Sequence, residues 1–427
     1  MTAPAISALP GPGDYLAQVC RLLWPPPASA ALTGRRSARL GRLGPGDREL
    51  IVLPGAARPK LIVPGGRRAA AAAVRRYGEP GSAKTMLATR ALAIMLAGGL
   101  RPVLGDRLVV RVPPGGQAIG SYLAELAGQP VEIGLHVGAA RANRKPVLQL
   151  LTPAGDTIAF AKIGINQLTA DLVTGEHAAL TRLASVPLTQ MRLPGVLARG
   201  SWNGLEVLLL DALPVWLRRR RLADDRLATA LVELAGSTGL SRSTLSASGY
   251  AERLLSRLGG VDRHGVNFHG VNLHGADLCV PGAEPLRVLI MRLAQAAGST
   301  RMTFGCWHGD LTPWNLACTD AGLLVWDWER FADGVPVGFD ALHYWLQARV
   351  VRPRNDPFEA ATLCVAAAPR LLAPFDVPPA PARLTALAYL AELSVRYLTD
   401  RQADASARLG APQRWLMPAI EAGIGQL

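Results

Sequence analysis

The hydrophobic pattern of the chain changes near Pro214. Before this residue, short apolar runs alternate with clusters of Gly, Pro and Asp, which is typical of strands joined by turns. After it, apolar residues recur at spacings near three and four, as on the buried face of a helix. Strands therefore come first and helices follow, which predicts an α+β protein. The helices are predicted over residues 222–236, 247–258, 284–297, 340–351, 356–372 and 381–400.

The region before Pro214 begins with a segment of different composition. Residues 1–30 are rich in Pro, Ala and Gly and are expected to be a loosely ordered lead-in. A hairpin is predicted in ELIVLPGAARPKLIVP, followed by helices over 67–100 and a strand in DRLVVRVP. From about residue 130 the pattern predicts three successive strands, a helix in TADLVTGEHAALTRLA and a further strand in LEVLLLDALP.

Composition restricts the class of protein further. The chain has 427 residues, 49% hydrophobic and 18% charged, as in a folded globular protein with a large core. The first residues lack the basic start and apolar run of a secretion signal. The most membrane-like segment, TMLATRALAIMLAGGL, contains Arg90 and is shorter than the ~18 to 20 apolar residues that span a bilayer. Because five cysteines without CxxC spacing also argue against disulfides and zinc, we expect a cytoplasmic protein without membrane insertion.

The formal net charge of +14 would suit a nucleic-acid partner. The basic residues are nevertheless spread along the chain, and the one dense run, 218–221, has no interleaved aromatic residues on which bases could stack. We therefore expect no nucleic-acid partner and interpret this run as the solvated edge of a helix. Only four of the 46 basic residues are lysines, so a lysine retained within a strand is of particular interest.

The segment FGCWHGDLTPWNLACTDAGLLVWDWERF, residues 304–331, places three polar side chains among apolar neighbours. Asp310 and Asn315 are five residues apart in a loop that contains Pro313, which disfavours a helix. Asp327 follows the short apolar strand GLLVW, so the chain is expected to fold back and bring this carboxylate beside the first two groups. Phosphoryl transfer from a nucleotide needs such a set. One carboxylate can orient the attacking hydroxyl while a second carboxylate and an amide oxygen bind Mg²⁺.

These motifs resemble those of the aminoglycoside phosphotransferases, choline kinases and related small-molecule kinases. HGDLTPWN is similar to their catalytic loop, a His-Gly-Asp with an Asn five residues after the Asp, and VWDWE is similar to their metal-binding motif. The resemblance implies Asp310 as catalytic base, with His308 shaping the loop. It implies Asn315 and Asp327 as ligands of Mg²⁺. GVPVGFDALHYW also resembles this family, in which the Asp at the position of Asp340 is usually structural.

The resemblance also makes a demand on the earlier strands. Kinase-like folds place on the third strand a Lys that contacts the nucleotide phosphates, and pair it with a Glu on the next helix. Lys162 in TIAFAKIG and Glu176 in the following helix meet this demand. The alternative for Lys162 is a strand-edge lysine that extends into solvent, and the alternative for Glu176 is the wet face of its helix.

Two further nucleotide contacts depend on order along the chain. The turn around Gly138 lacks the full GxGxxG pattern, yet its backbone amides could cradle phosphates; an ordinary hairpin turn is the alternative. The strand LEVLLLDALP would be the hinge between two lobes, with backbone groups from Leu210 to Ala212 meeting the adenine.

The resemblance implies a bilobal protein-kinase-like fold. Residues 1–110 would be an N-terminal extension of unknown role, 111–213 a small β-rich lobe, and 214–427 a larger helical lobe with the catalytic loop. The expected function is transfer of the γ-phosphoryl group of ATP or GTP to a hydroxyl of a small molecule, with Mg²⁺ as cofactor. The alternative is a non-catalytic kinase-like module that binds a nucleotide or a partner. Nothing in the sequence predicts an oligomeric state.

Two observations bear on the acceptor side of the protein. Residues 215–300 contain few acidic side chains among many arginines, so a neutral or anionic acceptor suits the charge better than a polycationic aminoglycoside. RHGVNFHGVNLHGADL spaces His264, His269 and His274 evenly. Three repeated units are too few to bury a core of their own, and the family resemblance implies no metal here, so we interpret the segment as a short ordered insertion near the substrate side rather than a metal site.

Overall fold

The structure, a computed structural model, describes residues 12–33, 44, 46–78, 83–99, 106–138, 140–259, 282–405 and 407–427. His264, His269 and His274 lie outside the described residues, so the interpretation of that segment stays a prediction. The chain divides into two compact units. Unit 1 consists of Met1–Ala184, Leu193–Arg220 and Ala317–Val325, and unit 2 consists of Ser185–Arg192, Arg221–Leu316 and Trp326–Leu427.

Helices and strands are both abundant in the described residues, which confirms the α+β class. The helices are α1 (Pro12–Leu23), α2 (Arg67–Gly78), α3 (Ala83–Ala97), α4 (Ile119–Leu126), α5 (Gln167–Leu183), α6 (Asp224–Gly236), α7 (Tyr250–Leu258), α8 (Ala283–Ala297), α9 (Phe339–Val350), α10 (Pro357–Leu372), α11 (Pro379–Thr399) and α12 (Leu416–Ile424). The strands are β1 (Ser29–Thr33), β2 (Arg48–Leu53), β3 (Leu61–Pro64), β4 (Asp106–Arg111), β5 (Glu132–His136), β6 (Val147–Leu151), β7 (Thr157–Gly164), β8 (Met191–Arg192), β9 (Val196–Trp202), β10 (Leu205–Asp211), β11 (Ser241–Thr244), β12 (Arg301–Trp307), β13 (Leu316–Thr319), β14 (Gly322–Val325) and β15 (Ala332–Pro336).

An antiparallel sheet is the framework of unit 1, with the described strands in the order β1-β4-β2-β3-β5-β6-β7-β10-β9. The predicted hairpin is present as β2 and β3, and the three strands predicted after residue 130 are β5, β6 and β7. In β2, Leu50 and Val52 pack into one hydrophobic cluster, whereas Ile51 and Leu53 pack into another. Successive side chains of a strand point to opposite faces, so the sheet has a core on each side.

The segment before residue 110, expected to be an extension, contributes β1 to β4 to this same sheet. β3 pairs with β5 in a register that places Leu61 opposite His136 and Ile62 opposite Leu135. The domain boundaries at residues 110 and 213 stay a prediction. Within unit 1, however, the residues on both sides of position 110 share one set of main-chain hydrogen bonds.

The first described residues differ from the expected loose lead-in, because they form α1. Leu16, Val19 and Leu23 lie at helical spacing, are at most 1% exposed and pack into a core of the sheet. The indole N–H of Trp202 also donates to the carbonyl oxygen of Leu22 at 3.0 Å. The expectation was wrong because the flanking Pro and Gly residues are typical of loops, whereas the apolar residues between them keep helical spacing.

The arginine run 218–221 is not the edge of a helix, as the sequence analysis predicted. The run contains no helix, and Arg219 forms an antiparallel bridge with Thr319. The next helix, α6, begins only at Asp224. The run therefore precedes the helix and belongs to the segment that follows β10.

Unit 2 is mainly helical, and the six helices predicted after Pro214 are present as α6 to α11 with ends shifted by at most three residues. A single hydrophobic cluster joins α7 to α12, with α11 almost entirely buried along its length. A small antiparallel sheet, in the order β11-β12-β15, packs against the same cluster. This packing fixes the end of β12 and the start of α9, the two points from which the candidate site is built.

One helical segment among the described residues, Pro357–Phe375, is long and apolar enough to cross a membrane by length and composition alone. Its buried residues include Ala361, Cys364 and Leu372, which pack in the core of unit 2. A core helix of a globular unit meets the same criterion of composition.

Candidate active site

The loop that carries Asp310 leaves β12 directly after Trp307. Gly309 has a φ of +86°, in the left-handed region, and a Cβ atom at this position would collide with the backbone carbonyl of Arg330. Only glycine can make this turn without strain or a clash. Sterics therefore require the glycine in the middle of the HGD motif.

His308 holds the loop from the inside. Its Nε2 lies 3.0 Å from the carbonyl oxygen of Trp326, and its Nδ1 accepts from the backbone N–H of Asp310 at 3.1 Å. These two partners require the neutral tautomer with the proton on Nε2. Burial lowers the pKa of His308 to about 4, so the ring is neutral at pH 7, as its hydrogen bonds require. His308 thus shapes the loop, the role that the family resemblance implies for it.

Asp340, in the first turn of α9, supports the same loop. Its carboxylate accepts from the backbone N–H groups of His308 at 2.7 Å and Gly309 at 3.2 Å. Burial raises the pKa of Asp340 to about 7, although these two hydrogen bonds act in the opposite direction. From α11, the guanidinium of Arg396 donates to the carbonyl oxygen of Gly309 at 2.6 Å. Two helices therefore fix the backbone on which Asp310 stands.

The Asp310 carboxylate has a donor on each oxygen. Nε2 of His343 lies 3.2 Å from Oδ1, and the amide nitrogen of Asn315 donates to Oδ2 at 3.1 Å. Burial by itself would raise the pKa of Asp310. The hydrogen bond from His343 and the positive charge of Arg396 outweigh this effect and hold the pKa well below its ordinary range. The side chain is ionised at neutral pH and remains 36% exposed.

His343 lies one turn after Asp340 on α9 and is almost completely buried. Burial lowers the pKa of its imidazole, which favours the neutral ring at pH 7. The Nδ1 atom lies 3.0 Å from the hydroxyl of Tyr389, so a neutral ring can accept from Tyr389 and donate to Asp310. Tyr389, His343 and Asp310 therefore form a continuous hydrogen-bonded chain that ends at the exposed carboxylate.

The chain folds back between Asn315 and Asp327, as the sequence predicts. The backbone N–H of Trp326 donates to the carbonyl oxygen of Asn315 at 3.1 Å. Asp327 is the next residue after Trp326. Asp327 has a φ of +68° in the left-handed region. Apart from Gly, Asp and Asn adopt this conformation most readily, because their short polar side chains can hydrogen-bond locally.

In unit 1, Lys162 on β7 and Glu176 on α5 form the predicted ion pair. The ammonium nitrogen lies 2.7 and 2.6 Å from the two carboxylate oxygens, and the residues are 5% and 0% exposed. α5 is held at its start by a reciprocal cap in which Asn166 and Thr169 each bond the backbone of the other. Lys162 is therefore not a strand-edge lysine in solvent, and Glu176 is not on the wet face of its helix.

The remaining predicted nucleotide contacts show no comparable construction. A Cβ atom at Gly138 would meet only the side chain of Arg144 at 3.9 Å, so sterics do not require glycine there. Leu210 is buried in β10 opposite Phe160 of β7, and Ala212 follows directly after the strand. The roles proposed for Gly138, Leu210 and Ala212 stay predictions.

Three residues of the site were not identified from the sequence: His343, Tyr389 and Arg396. His343 had a detectable signal, since it lies three residues after Asp340 and so shares a face of α9 with it. Arg396 and Tyr389 had none, because they lie on α11 within a helix that is apolar on most sides. Only packing of α11 in the core of unit 2 brings them to the loop.

No family model matches the sequence, and no curated protein matches it. Solved structures do match. A protein of Haemophilus somnus 129PT described as a fructosamine-3-kinase is 16% identical with a TM-score of 0.42, and covers 71% of this chain and 96% of its own. A thermostable mutant of the aminoglycoside phosphotransferase APH(4)-Ia is 13% identical with a TM-score of 0.44, at 72% and 98% coverage.

The choline kinase LicA of Streptococcus pneumoniae is 12% identical with a TM-score of 0.40, and covers 66% of this chain and 90% of its own. These neighbours belong to the group of small-molecule kinases that the motifs resemble. Identities and TM-scores at this level carry no argument about the activity of this chain.

Proposed function

We propose that this protein is a phosphotransferase that moves the γ-phosphoryl group of ATP or GTP to a hydroxyl group of a small molecule. The observation that carries the proposal is the Asp310 carboxylate, ionised, 36% exposed and oriented by a donor on each oxygen. Each carboxylate oxygen has two lone pairs, so both keep acceptor capacity for a substrate hydroxyl. A carboxylate held in this way is suited to orient an attacking hydroxyl.

Asp310 acts mainly by position in this proposal. Its lowered pKa makes it a weak proton acceptor but keeps it charged, so it aligns the hydroxyl and receives the proton late, as phosphoryl transfer is largely dissociative. His343 and Asn315 prevent rotation of the carboxylate, which preserves the alignment. Positioning of reactants is one of the largest contributions available to an enzyme of this kind.

The residues present fit a magnesium ion. The side-chain amide nitrogen of Asn315 donates to the backbone carbonyl oxygen of Asp310 at 2.9 Å and to its carboxylate at 3.1 Å. The amide oxygen of Asn315 is then the atom that can bind a cation. The second ligand would be the Asp327 carboxylate, and both are the hard oxygen donors that Mg²⁺ prefers. The described residues contain no cluster of three or more His, Cys, Asp or Glu that could hold a metal. Mg²⁺ commonly binds with one or two carboxylates and takes its other ligands from phosphates and water, so two protein ligands are enough for this proposal. When bound, it would neutralise charge on the nucleotide phosphates.

Lys162 is proposed to contact the nucleotide phosphates, and Glu176 to hold it in position. A buried ammonium that bonds both oxygens of one carboxylate has a fixed direction, which a solvent-exposed lysine lacks. The Gly138 turn and the backbone from Leu210 to Ala212 complete the proposed nucleotide contacts. The cytoplasmic location expected from the sequence belongs to the same proposal.

The second candidate function is a non-catalytic module that binds a nucleotide without transferring its phosphate. It would use Lys162, Asn315 and Asp327 but would have no need of an oriented Asp310. The chain from Tyr389 through His343 to Asp310 favours the enzyme, because its only exposed end is the proposed catalytic carboxylate.

The proposal is tested by incubating the protein with Mg-ATP or Mg-GTP and a panel of neutral and anionic alcohols, sugars and nucleosides, and by identifying phosphorylated products by mass spectrometry. Asp310→Asn keeps the shape of the side chain and should lower the rate by about 10²- to 10⁴-fold, the usual contribution of a positioned acid–base group. Asp376→Asn, the same change at an exposed residue of unit 2, should leave the rate unchanged. Equal rates in the two variants would remove Asp310 from the reaction.

A further inference from the structure

A cavity of about 660 Å³ lies within unit 1, and neither Lys162 nor Glu176 lines it. Its walls come from four separate stretches of chain: the last turns of α2, the middle of α3, the turn between β6 and β7, and the segment that follows β10. The convergence of so many stretches makes this cavity part of the fold rather than a gap in one loop.

The charge of the lining is strongly one-sided. Among the described residues, five arginines and a single carboxylate line this cavity, namely Arg75, Arg76, Arg90, Arg218, Arg219 and Asp156. The carboxylate is engaged locally, because it accepts from the hydroxyl of Thr152 at 3.2 Å. Like charges at this density repel one another unless an anion lies between them.

Three of these arginines are available to such an anion. Arg75, Arg90 and Arg218 are exposed, and within the part of the chain that the structure describes no carboxylate forms an ion pair with them. Other arginines of unit 1 do form such pairs, as Arg199 does with Glu206 at 2.9 Å and Arg220 does with Asp320. The unpaired guanidinium groups thus occur together, on three different stretches of chain.

The lining also has an apolar part, and one of its arginines is fixed by stacking. Ala72 and Val215 are buried, and Trp216 presents an indole that is 52% exposed. Arg76 is fixed by stacking on Phe160, with 5.1 Å between the guanidinium carbon and the ring centre. Apolar walls with a few placed charges are typical of sites for small ligands.

We propose that this cavity binds a small polyanion that carries two or more phosphate groups. Its volume falls in the range of roughly 300 to 1,000 Å³ that small-molecule sites occupy. Guanidinium groups bind phosphate through paired, charge-assisted hydrogen bonds, and arginines on three stretches can contact separate phosphates of one ligand. This site is distinct from the nucleotide contacts proposed above. It takes its ligand without Mg²⁺, since the engaged carboxylate of Asp156 is the only acidic group among the described residues that line it.

Isothermal titration calorimetry of the full chain with inorganic tripolyphosphate, without Mg²⁺, tests the proposal. The wild type should bind one equivalent. The cavity variant combines Arg75→Ala, Arg90→Ala and Arg218→Ala. Its affinity for tripolyphosphate should be lower than that of the wild type by at least about tenfold, because charge-assisted hydrogen bonds are stronger than neutral ones. The control variant combines Arg354→Ala, Arg370→Ala and Arg383→Ala, which removes the same charge from one exposed loop position and two exposed helix positions of unit 2. It should bind tripolyphosphate as the wild type does.

A further variant separates the cavity from the proposed nucleotide site. Lys162→Met combined with Glu176→Leu replaces the buried ion pair by apolar side chains, an exchange that folds are able to tolerate. Circular dichroism would check that it is folded, and it should bind tripolyphosphate as the wild type does. Loss of binding in this folded variant, equal weakening in the two arginine variants, or no binding by the wild type would each overturn the proposal.

Discussion

At the scale of single residues, the candidate site is defined by what fixes each polar side chain. Asp310 is bonded by His343 and Asn315, and His308 has its tautomer set by Trp326 and the backbone of Asp310. Each of these side chains has two partners, so its direction is determined before any ligand binds. Such preorganisation is what a site for phosphoryl transfer requires, because there is little covalent chemistry for the protein to perform.

His343→Phe should separate orientation of Asp310 from nucleotide binding. The phenyl ring can keep the edge contacts with Trp307 and Tyr389 but cannot donate to Asp310. We expect kcat to fall by about 10- to 100-fold, as for other partners that orient a functional group, with little change in the KM for Mg-ATP. Tyr389→Phe, which removes only the more distant hydroxyl, should have the smaller effect. Steady-state kinetics with wild-type kcat in His343→Phe would show that His343 only fills space.

The linear motif made part of this site predictable. His308, Asp310 and Asn315 lie within eight residues, so their spacing is visible in the sequence. His343 and Arg396 are 33 and 87 residues from their partners in the loop, and only tertiary packing brings them there. Their contribution could not be read from spacing, because it depends on how α9 and α11 pack.

At the scale of elements, β7 and α5 are joined by an ion pair that is nearly free of solvent. Glu176→Gln would remove the carboxylate charge from this buried pair with Lys162, which typically costs about 3 kcal/mol in the free energy of unfolding. Glu206→Gln is the matched control, since it breaks an exposed pair with Arg199 in the same sheet and should cost less than about 1 kcal/mol. Urea unfolding of both variants measures the difference. Equal costs would mean that the Lys162–Glu176 pair is not buried in solution.

A buried histidine in the central sheet, His136, should make the stability of the protein depend on pH. Burial lowers the pKa of His136 on β5 from 6.5 to about 4. The unfolded chain therefore binds more protons than the folded chain between these values, so stability is lost as the pH falls through this range. From pH 7 to pH 5 the wild type should lose about 1 to 2 kcal/mol more than His136→Phe, a variant without this titration. Urea unfolding at both pH values tests this, and identical pH dependence in the two proteins would contradict it.

Element positions were mostly predictable, and the errors have physical causes. The strands of the hairpin β2–β3 and the helices α6 to α11 were predictable because the local spacing of their apolar residues is enough to identify them. α1 was missed although its apolar residues lie at helical spacing, because Pro and Gly around it are typical of loops. The run 218–221 was assigned to a helix edge, yet Arg219 bridges Thr319, a contact 100 residues away that no local pattern indicates.

At the scale of the whole molecule, the two units carry different parts of the proposal. Unit 1 contains the Lys162–Glu176 pair and the arginine-lined cavity, and unit 2 contains Asp310 with its supporting helices. Because β1 to β4 belong to the main sheet, truncation before residue 110 would remove paired strands from the core of unit 1. Experiments on function should therefore use the full chain.

The central claim is that the protein binds a nucleotide with Mg²⁺ through Asp327, and its most direct test is thermal unfolding of the full chain with ATP, in the presence of Mg²⁺ or of a chelator. A ligand that binds only the folded state raises its stability by about 2.7 kcal/mol at a hundred times its Kd. We predict a rise in Tm with Mg-ATP that is absent with the chelator and absent in Asp327→Asn, a variant that tolerates the left-handed backbone of Asp327. No rise with either Mg-ATP or Mg-GTP, or an equal rise in the variant, would contradict the account.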